Sequence, residues 1–131
     1  MLIPVKHSVA VVVFRGDEVL AVRRAEDDDE LPGIWGLPAG TRRNPETPED
    51  VIRRIGSDKL GATLKPVRKL ISGQQMRRGY LLEMELWEAS MEGSPTWPEW
   101  QWASLDLLRP GAARGSLCCE LCIKSKSRVS L

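Results

Sequence analysis

Two runs of β-branched and other apolar residues lie near the N-terminus. They read HSVAVVVF and VLAVRR, and the segment RGDE between them contains a Gly-Asp pair that favours a tight turn. This pattern predicts strands near His7–Phe14 and Glu18–Arg24 that pair as a hairpin. The next segment, AEDDDELPG, is densely acidic and ends in Pro-Gly, so we expect a solvated loop there.

A helix is predicted over about Pro48–Leu60. Thr47 suits the N-cap, Pro48 suits the first helical position, and the two acidic residues that follow suit the positive end of the helix dipole. Gly61 suits the stop at the C-terminus.

Three more extended segments follow, and they read TLKPVRKLIS, RGYLLEMELWEA and EWQWAS. Apolar residues alternate over Tyr80–Leu86, so one face of this strand should be covered by a helix or by a partner, for example in a homodimer. The segment LDLLRP predicts a short turn, and residues 114–124 predict a final helix. One mixed β-sheet covered by two helices is the simplest architecture for this order of elements.

Length and charge narrow the picture. A chain of 131 residues is enough for one domain, and we expect a single domain over residues 1–131 with peripheral tails at 1–6 and 125–131. The formal net charge of +1 gives no global field that directs the chain to nucleic acid or to a membrane. The apolar run Val9–Phe14 is too short to span a bilayer, and no small-residue cleavage site follows it. A cytoplasmic location is the default expectation.

The cysteines Cys118, Cys119 and Cys122 are close together in the segment LCCELC. A structural zinc site needs more ligands than these, and the single histidine, His7, is at the other end of the chain. We favour small apolar residues on a C-terminal helix over metal or redox chemistry. For His7 we favour the start of a strand over a catalytic role.

The segment Gly40–Ala62 resembles the Nudix box, whose pattern is G-x5-E-x7-R-E-U-x-E-E-x-G-U with U an aliphatic residue. The matching residues, in register, are Gly40, Glu46, Arg54 and Gly61. The upstream segment GIWGLPAG is similar to the G-x-W-x-x-P-G-G sequence before the box, with Ala39 for one glycine. The chain thus resembles the Nudix (MutT-like) hydrolase superfamily, with a degenerate Nudix box. This resemblance implies an α/β fold of the Nudix type, which is an α/β/α sandwich with a mixed β-sheet.

The resemblance implies Mg²⁺- or Mn²⁺-dependent hydrolysis of nucleoside diphosphates that are linked to another moiety. A divalent ion neutralises phosphate charge and acidifies the attacking water, and carboxylates on one helix face supply its ligands. Positions 55, 58 and 59 should share that face. Only Asp58 is acidic, whereas Ile55 binds no cation and Lys59 repels one. We therefore expect either a weakened metal site or no cofactor.

By resemblance, the catalytic residues are Glu46, Arg54 and Asp58, and the metal ligands are Asp58 and Glu99. Two of these have simpler explanations, because Glu46 flanks a helix N-terminus, where a carboxylate is favourable in any case, and Glu99 suits a solvated surface. Gly56 stands at the first aliphatic position of the box. A glycine inside a helix costs about 1 kcal/mol relative to Ala.

Basic residues predict where a phosphate would bind. The candidates for substrate binding are Arg23, Arg24, Arg42, Lys59 and Arg77. Guanidinium groups offer forked donors to phosphate, and Lys59 could neutralise substrate charge in place of an ion. The alternative for any arginine pair is a solvated surface. Likewise, Trp97, Trp100 and Trp102 suit stacking on a base, while core packing is favoured for the last two.

Two functions of different classes follow. The first is a hydrolase acting on a small nucleotide-like diphosphate, with activity weak or lost because the box lacks acidic residues. The second is a non-catalytic module with the same fold that binds a nucleotide, RNA or a protein partner. The resemblance favours the first function, and the lost carboxylates favour the second.

Overall fold

The computed structural model describes residues 2–129. Its strands are β1 (Val5–Val12), β2 (Phe14–Arg15), β3 (Glu18–Arg23), β4 (Trp35–Gly36), β5 (Ala39–Thr41), β6 (Thr63–Arg77), β7 (Tyr80–Glu92) and β8 (Trp100–Ala103). Its helices are α1 (Pro48–Arg54), a π-helix (Ile55–Leu60) that continues α1, a 3₁₀ turn (Leu105–Leu108), α2 (Arg109–Ala113) and α3 (Leu117–Val129). None of the helices in this described range is long and apolar enough to cross a membrane.

The strands form two sheets rather than the single sheet predicted from the pattern. The first sheet has the order β5-β1-β7-β6, with β1 parallel to β7 and the other pairs antiparallel. In the second sheet, β3 pairs antiparallel with β2, β4 and β8. Strands β6 and β7 form a long hairpin whose pairing is irregular near Pro66, a residue that lacks the N–H needed for a regular ladder.

The predicted N-terminal hairpin is present only next to its turn. Phe14 is opposite Val19, and Arg15 is opposite Glu18, so β2 and β3 do form a tight hairpin. The longer strand β1 pairs instead with β5 and β7 in the first sheet. The chain passes from one sheet to the other at Val13, whose carbonyl still accepts a hydrogen bond from the Leu20 N–H.

Side chains of β1 alternate between two hydrophobic clusters. Val9 and Val11 belong to the cluster packed against α1, whereas Ala10 and Val12 belong to the cluster packed against α3. Because successive side chains of a strand point to opposite faces, the sheets lie between two helical layers. The expected α/β/α sandwich is confirmed, and the first sheet is its mixed sheet.

The apolar face of β7 is covered from within the chain. Leu82, Met84 and Leu86 are buried in the same cluster as Leu117 and Leu121 of α3. The alternation predicted over Tyr80–Leu86 is confirmed, and a helix provides the cover.

The final helix differs from its prediction at both ends. It begins at Leu117 rather than near residue 114, and it continues to Val129, within the segment predicted as a tail, while residues 130–131 lie outside the described range. The three cysteines lie on α3 and are buried, as expected for small apolar residues of a C-terminal helix. Burial raises the pKa of the Cys122 thiol to about 12. At the other terminus, β1 already begins at Val5, inside the first predicted tail.

Local signals define the box helix as predicted. The Asp50 N–H donates to Thr47 Oγ1 at 3.1 Å, and the Thr47 N–H donates to Asp50 Oδ2 at 3.0 Å, which completes a capping box. Pro48 occupies the first turn, and Gly61 ends the helix in the left-handed region at φ 64°. From Ile55 onward the helix is π-helical, with i→i+5 hydrogen bonding.

Candidate functional site

A cleft of about 180 Å³ opens between the first sheet, the π-helix and the N-terminus of α3. We call this site the basic cleft. Its charged and aromatic side chains come from β1, β6, β7, the π-helix and the segment after β3, and they are Lys6, Arg24, Glu30, Lys59, Arg77 and Tyr80. Positive charges outnumber the single carboxylate among them, so the basic cleft is suited to an anion.

Glu30 is held at one side of the basic cleft by two neighbours. The Arg77 side chain is only 14% exposed, and its guanidinium donates a hydrogen bond to Glu30. The Tyr80 hydroxyl donates to the same carboxylate at 3.1 Å. Burial favours the neutral acid, yet these hydrogen bonds keep the pKa of Glu30 below its usual value. The Lys6 ammonium lies 5.6 Å from the centroid of the Tyr80 ring, a cation–π distance.

Arg24 is held at the cleft by Asp28. Arg24 Nη1 lies 3.1 Å from Asp28 Oδ2, and the same carboxylate oxygen accepts the Leu31 N–H at 2.8 Å. Burial opposes ionisation of Asp28, but the hydrogen bonds of Leu31 and Arg24 lower its pKa. The predicted acidic loop therefore has a definite role, because one of its carboxylates orients a cation of the basic cleft.

Lys59 has a different environment from these arginines. Its ammonium donates a hydrogen bond to the carbonyl oxygen of Ala39. The residue as a whole is exposed, but the ammonium faces the basic cleft, where burial and the positive charges of Arg54 and Arg24 lower the pKa of Lys59. Among the described residues, no carboxylate lies within ion-pair distance of this ammonium.

The box positions expected to share one helix face lie in different surroundings. Ile55 is fully buried in the cluster with α1, Asp58 is exposed and accepts a hydrogen bond from Ser57 Oγ at 3.0 Å, and Lys59 lines the basic cleft. A π-helix has a wider turn than an α-helix, so residues separated by three or four positions no longer lie directly above one another. These positions do not form a carboxylate cluster.

Glu46 and Arg54 form a two-point ion pair. The Glu46 carboxylate accepts from Arg54 Nε at 2.8 Å and from Arg54 Nη2 at 3.0 Å, and it also accepts the Arg43 N–H at 2.9 Å. These bonds, that of Arg54 first, lower the pKa of Glu46 to about 2. Arg54 Nη2 also donates to the Thr41 carbonyl at 2.6 Å. The pair thereby joins α1 to β5 and to the loop before the helix.

Glu99 lies beside Arg23 rather than beside Asp58. Its carboxylate accepts from Arg23 Nη1 at 3.0 and 3.3 Å, and Arg23 also forms an ion pair with Glu26. Within residues 2–129, no group of three or more His, Cys, Asp or Glu side chains is arranged to hold a metal ion. The residues at the box therefore do not fit the divalent ion that the resemblance implies.

The structure divides the predicted substrate-binding residues. Arg24, Lys59 and Arg77 meet in the basic cleft. Arg23 lies next to Trp97 in a separate surface depression, and Arg42 lies by a trough on the sheet and donates from Nε to the Glu46 carbonyl at 2.6 Å. The three candidate tryptophans pack against the cluster of α1, as expected for Trp100 and Trp102.

Sequence reasoning did not select three residues of the basic cleft, namely Lys6, Glu30 and Tyr80. Tyr80 is the only tyrosine of the chain and begins the alternating face of β7, which was an available signal. Lys6 and Glu30 carry no local signal, because the parallel pairing of β1 with β7 and the path of the acidic loop bring them to Tyr80.

The family comparison agrees with this architecture. The family model of the NUDIX domain matches residues 4–116. The chain therefore belongs to the Nudix family, whose hydrolases act on nucleotide-like diphosphates and generally use divalent metals.

Solved structures with the same fold have low sequence identity to this chain. The MutT protein from Methanosarcina mazei Go1 has a TM-score of 0.82 and 17% identity, covering 100% of this chain and 99% of that one. The E. coli ORF135 protein has a TM-score of 0.75 and 18% identity, with coverages of 96% and 94%. An ADP-ribose pyrophosphatase from Streptococcus suis 89-1591 has a TM-score of 0.65 and 15% identity, with coverages of 92% and 91%. A search of curated proteins gave no match.

Proposed function

We propose that this Nudix protein binds a small nucleotide-like diphosphate in the basic cleft and that its metal-dependent hydrolysis is weak or lost. The observation that carries the proposal is the pair of substitutions at the box, with Ile55 in the core and Lys59 in the cleft. Together they leave a site suited to phosphate and unsuited to the ion that the family reaction requires.

The basic cleft supports the binding part of the proposal. Arginine and lysine donate charge-assisted hydrogen bonds to phosphoryl oxygens, and Arg24 and Arg77 are already oriented by Asp28 and Glu30. Such preorganisation reduces the entropy lost when a ligand binds. An overall charge of +1 and a concave site of about 180 Å³ favour a small anion over an extended nucleic acid.

The chemistry of the donor set supports weak or lost hydrolysis. The family reaction needs Mg²⁺ or Mn²⁺ to neutralise phosphate charge and to acidify a water molecule. Of the predicted catalytic residues, Glu46 and Arg54 are bound to each other, and Asp58 is exposed away from the cleft lining. Asp58 and Glu99 remain the candidate ligands for any residual metal binding. A cytoplasmic location and a homodimer remain expectations from the sequence.

A binding and turnover assay tests the proposal. ADP, ADP-ribose, a dinucleoside polyphosphate and a nucleoside triphosphate are titrated calorimetrically, and hydrolysis is followed with Mg²⁺, with Mn²⁺ and with chelator. At least one compound should bind, with turnover far below about 1 per second. Arg24→Gln should weaken binding about tenfold or more, whereas Arg53→Gln, an exposed change on α1, should not.

Two results would contradict the proposal. Turnover near the usual enzymatic range that chelator abolishes would show an active hydrolase. Failure of every nucleotide to bind, together with tight binding of a single-stranded RNA, would favour the alternative module that binds RNA, and binding of neither would leave a protein partner as the remaining class.

A further inference from the structure

Within residues 2–129, no carboxylate forms an ion pair with Lys59, whereas the neighbouring arginines each have one. Arg24 pairs with Asp28 and Arg77 pairs with Glu30, but the Lys59 ammonium bonds to the neutral carbonyl of Ala39. An ammonium has several N–H donors, so this single bond leaves others for a ligand. Lys59 thus presents an available charge inside the basic cleft.

Burial and the positive charges of Arg54, Arg24, Lys6 and Arg43 together lower the pKa of Lys59. Like charges in a partly desolvated cleft repel one another, and the repulsion disappears when an anion of more than one charge enters. Among the described residues, Asp28 and Glu30 balance the charges of Arg24 and Arg77, so the charge of Lys59 is the one that an anionic ligand would balance.

A divalent cation does not suit the same place. Lys59 stands at a box position that is acidic in the Nudix pattern, and its ammonium already occupies the Ala39 carbonyl oxygen, a hard ligand of the kind that Mg²⁺ prefers. A metal ion placed near this ammonium would be repelled by it. Lys59 thus supplies a covalently attached positive charge at a position where the acidic residue of the family pattern would help to bind a divalent metal ion.

We infer that Lys59 is a built-in cation for the diphosphate of the ligand, and that the basic cleft binds diphosphates without a divalent ion. The inference rests on the proposed function, because it assigns the group that holds the same ligand. The remaining N–H donors of Lys59 and the guanidinium of Arg24 would bind phosphoryl oxygens on neighbouring phosphates. The charge neutralisation that a bound ion gives in other Nudix proteins is then part of the polypeptide.

Calorimetric titration with inorganic pyrophosphate and with ADP tests this inference directly. Wild-type protein is titrated in EDTA and again with excess Mg²⁺, and both probes should bind in EDTA at least as tightly as with Mg²⁺. Lys59→Met should weaken binding in EDTA about tenfold or more, because a charge-assisted hydrogen bond is lost. Lys59→Arg, which keeps the charge, should retain most of the affinity. Lys69→Met, an exposed lysine of β6 outside the basic cleft, is the matched control and should bind as wild type does.

The outcomes separate this inference from the proposed function. Binding that requires Mg²⁺ would overturn the inference and leave the proposed ligand class standing. Wild-type affinity in Lys59→Met, together with weak binding in Arg24→Gln, would do the same. No binding of either probe in either buffer would overturn both. The comparison of EDTA with Mg²⁺ uses only the wild-type chain, so the inference stays testable even if a variant does not fold.

Discussion

The box helix consists of two halves that differ in geometry and in surroundings. The first half, Pro48–Arg54, is α-helical, begins with the Thr47 capping box and ends at Arg54, which is bonded to Glu46. The second half, Ile55–Leu60, is π-helical and keeps an acidic residue, Asp58, at only one of the three acidic positions of the box pattern. The matches Gly40, Glu46 and Arg54 thus precede the second half, the match Gly61 follows it, and the departures lie between them.

The difference shows which requirements of the pattern belong to folding. Residues that cap the helix or join it to β5 are retained, because the backbone needs them whether or not a metal binds. The most buried departure, Ile55, contributes to the core, and a Cβ at Gly40 would lie only 3.2 Å from its Cγ1. Such close packing makes Ile55 a part of the hydrophobic core, whereas Asp58 and Lys59 of the same half are exposed. The matching residues therefore serve the fold of the helix, whereas the departures change the residue types at the positions that are acidic in the pattern.

Restoring the carboxylate at position 55 should give the largest effect. Ile55→Glu would place a charge among Val9, Val51 and other apolar side chains, and we expect the free energy of unfolding to fall by about 3–5 kcal/mol. Asp58→Glu restores a second box residue at an exposed position and should change stability by no more than about 0.5 kcal/mol. Urea denaturation of both variants measures the contrast. A stable Ile55→Glu protein whose melting temperature rises with Mn²⁺ would show that the second half is still a metal scaffold.

Gly56→Ala should give the next largest effect. Helix propensity alone favours Ala over Gly by about 1 kcal/mol. In this structure, however, a Cβ at Gly56 would lie 2.7 Å from the Ala62 carbonyl oxygen and 2.9 Å from the Leu64 backbone nitrogen. We therefore expect Gly56→Ala to lower the free energy of unfolding by about 1–3 kcal/mol.

Ser57→Ala is the matched control for that change, because Ser57 is the exposed neighbour in the same half. It should alter stability by no more than about 0.5 kcal/mol in urea denaturation. If Gly56→Ala instead stabilised the protein, the contact of the π-helix with the start of β6 would be looser than the structure indicates.

The box helix also shows how far the fold could be predicted from the sequence. The ends of the box helix were predictable because Thr47 and Gly61 act locally, through a cap and a left-handed stop. The π-helical half was not predictable, because it depends on packing against β6. The same is true of the passage between sheets at Val13, where the β-branched run continues without a break.

The basic cleft illustrates the same limits for a site. The sequence predicted Arg23, Arg24 and Arg77 equally as phosphate-binding arginines, and the structure brings only Arg24 and Arg77 to the basic cleft. Adjacent side chains at the end of β3 point to opposite sides, so an arginine pair in the sequence divides between two surfaces. Glu30 and Tyr80 are 50 residues apart in the chain, and only the tertiary fold joins them.

The smallest expected effect concerns the ion pair of the first half and its response to pH. Arg54 holds the pKa of Glu46 at about 2, below the usual 4.5, so the folded state binds this proton less readily than the unfolded state. The pair therefore stabilises the protein above about pH 4.5, and that contribution is lost as the pH falls from 4.5 towards 2. A double-mutant cycle of Glu46→Gln and Arg54→Met, followed by thermal unfolding across this range, isolates the contribution because other titrations cancel. The coupling should be positive at pH 6 and should decline steadily on acidification. A coupling that does not change with pH would contradict this prediction, because it would mean that the contact between Glu46 and Arg54 does not depend on the charge of Glu46.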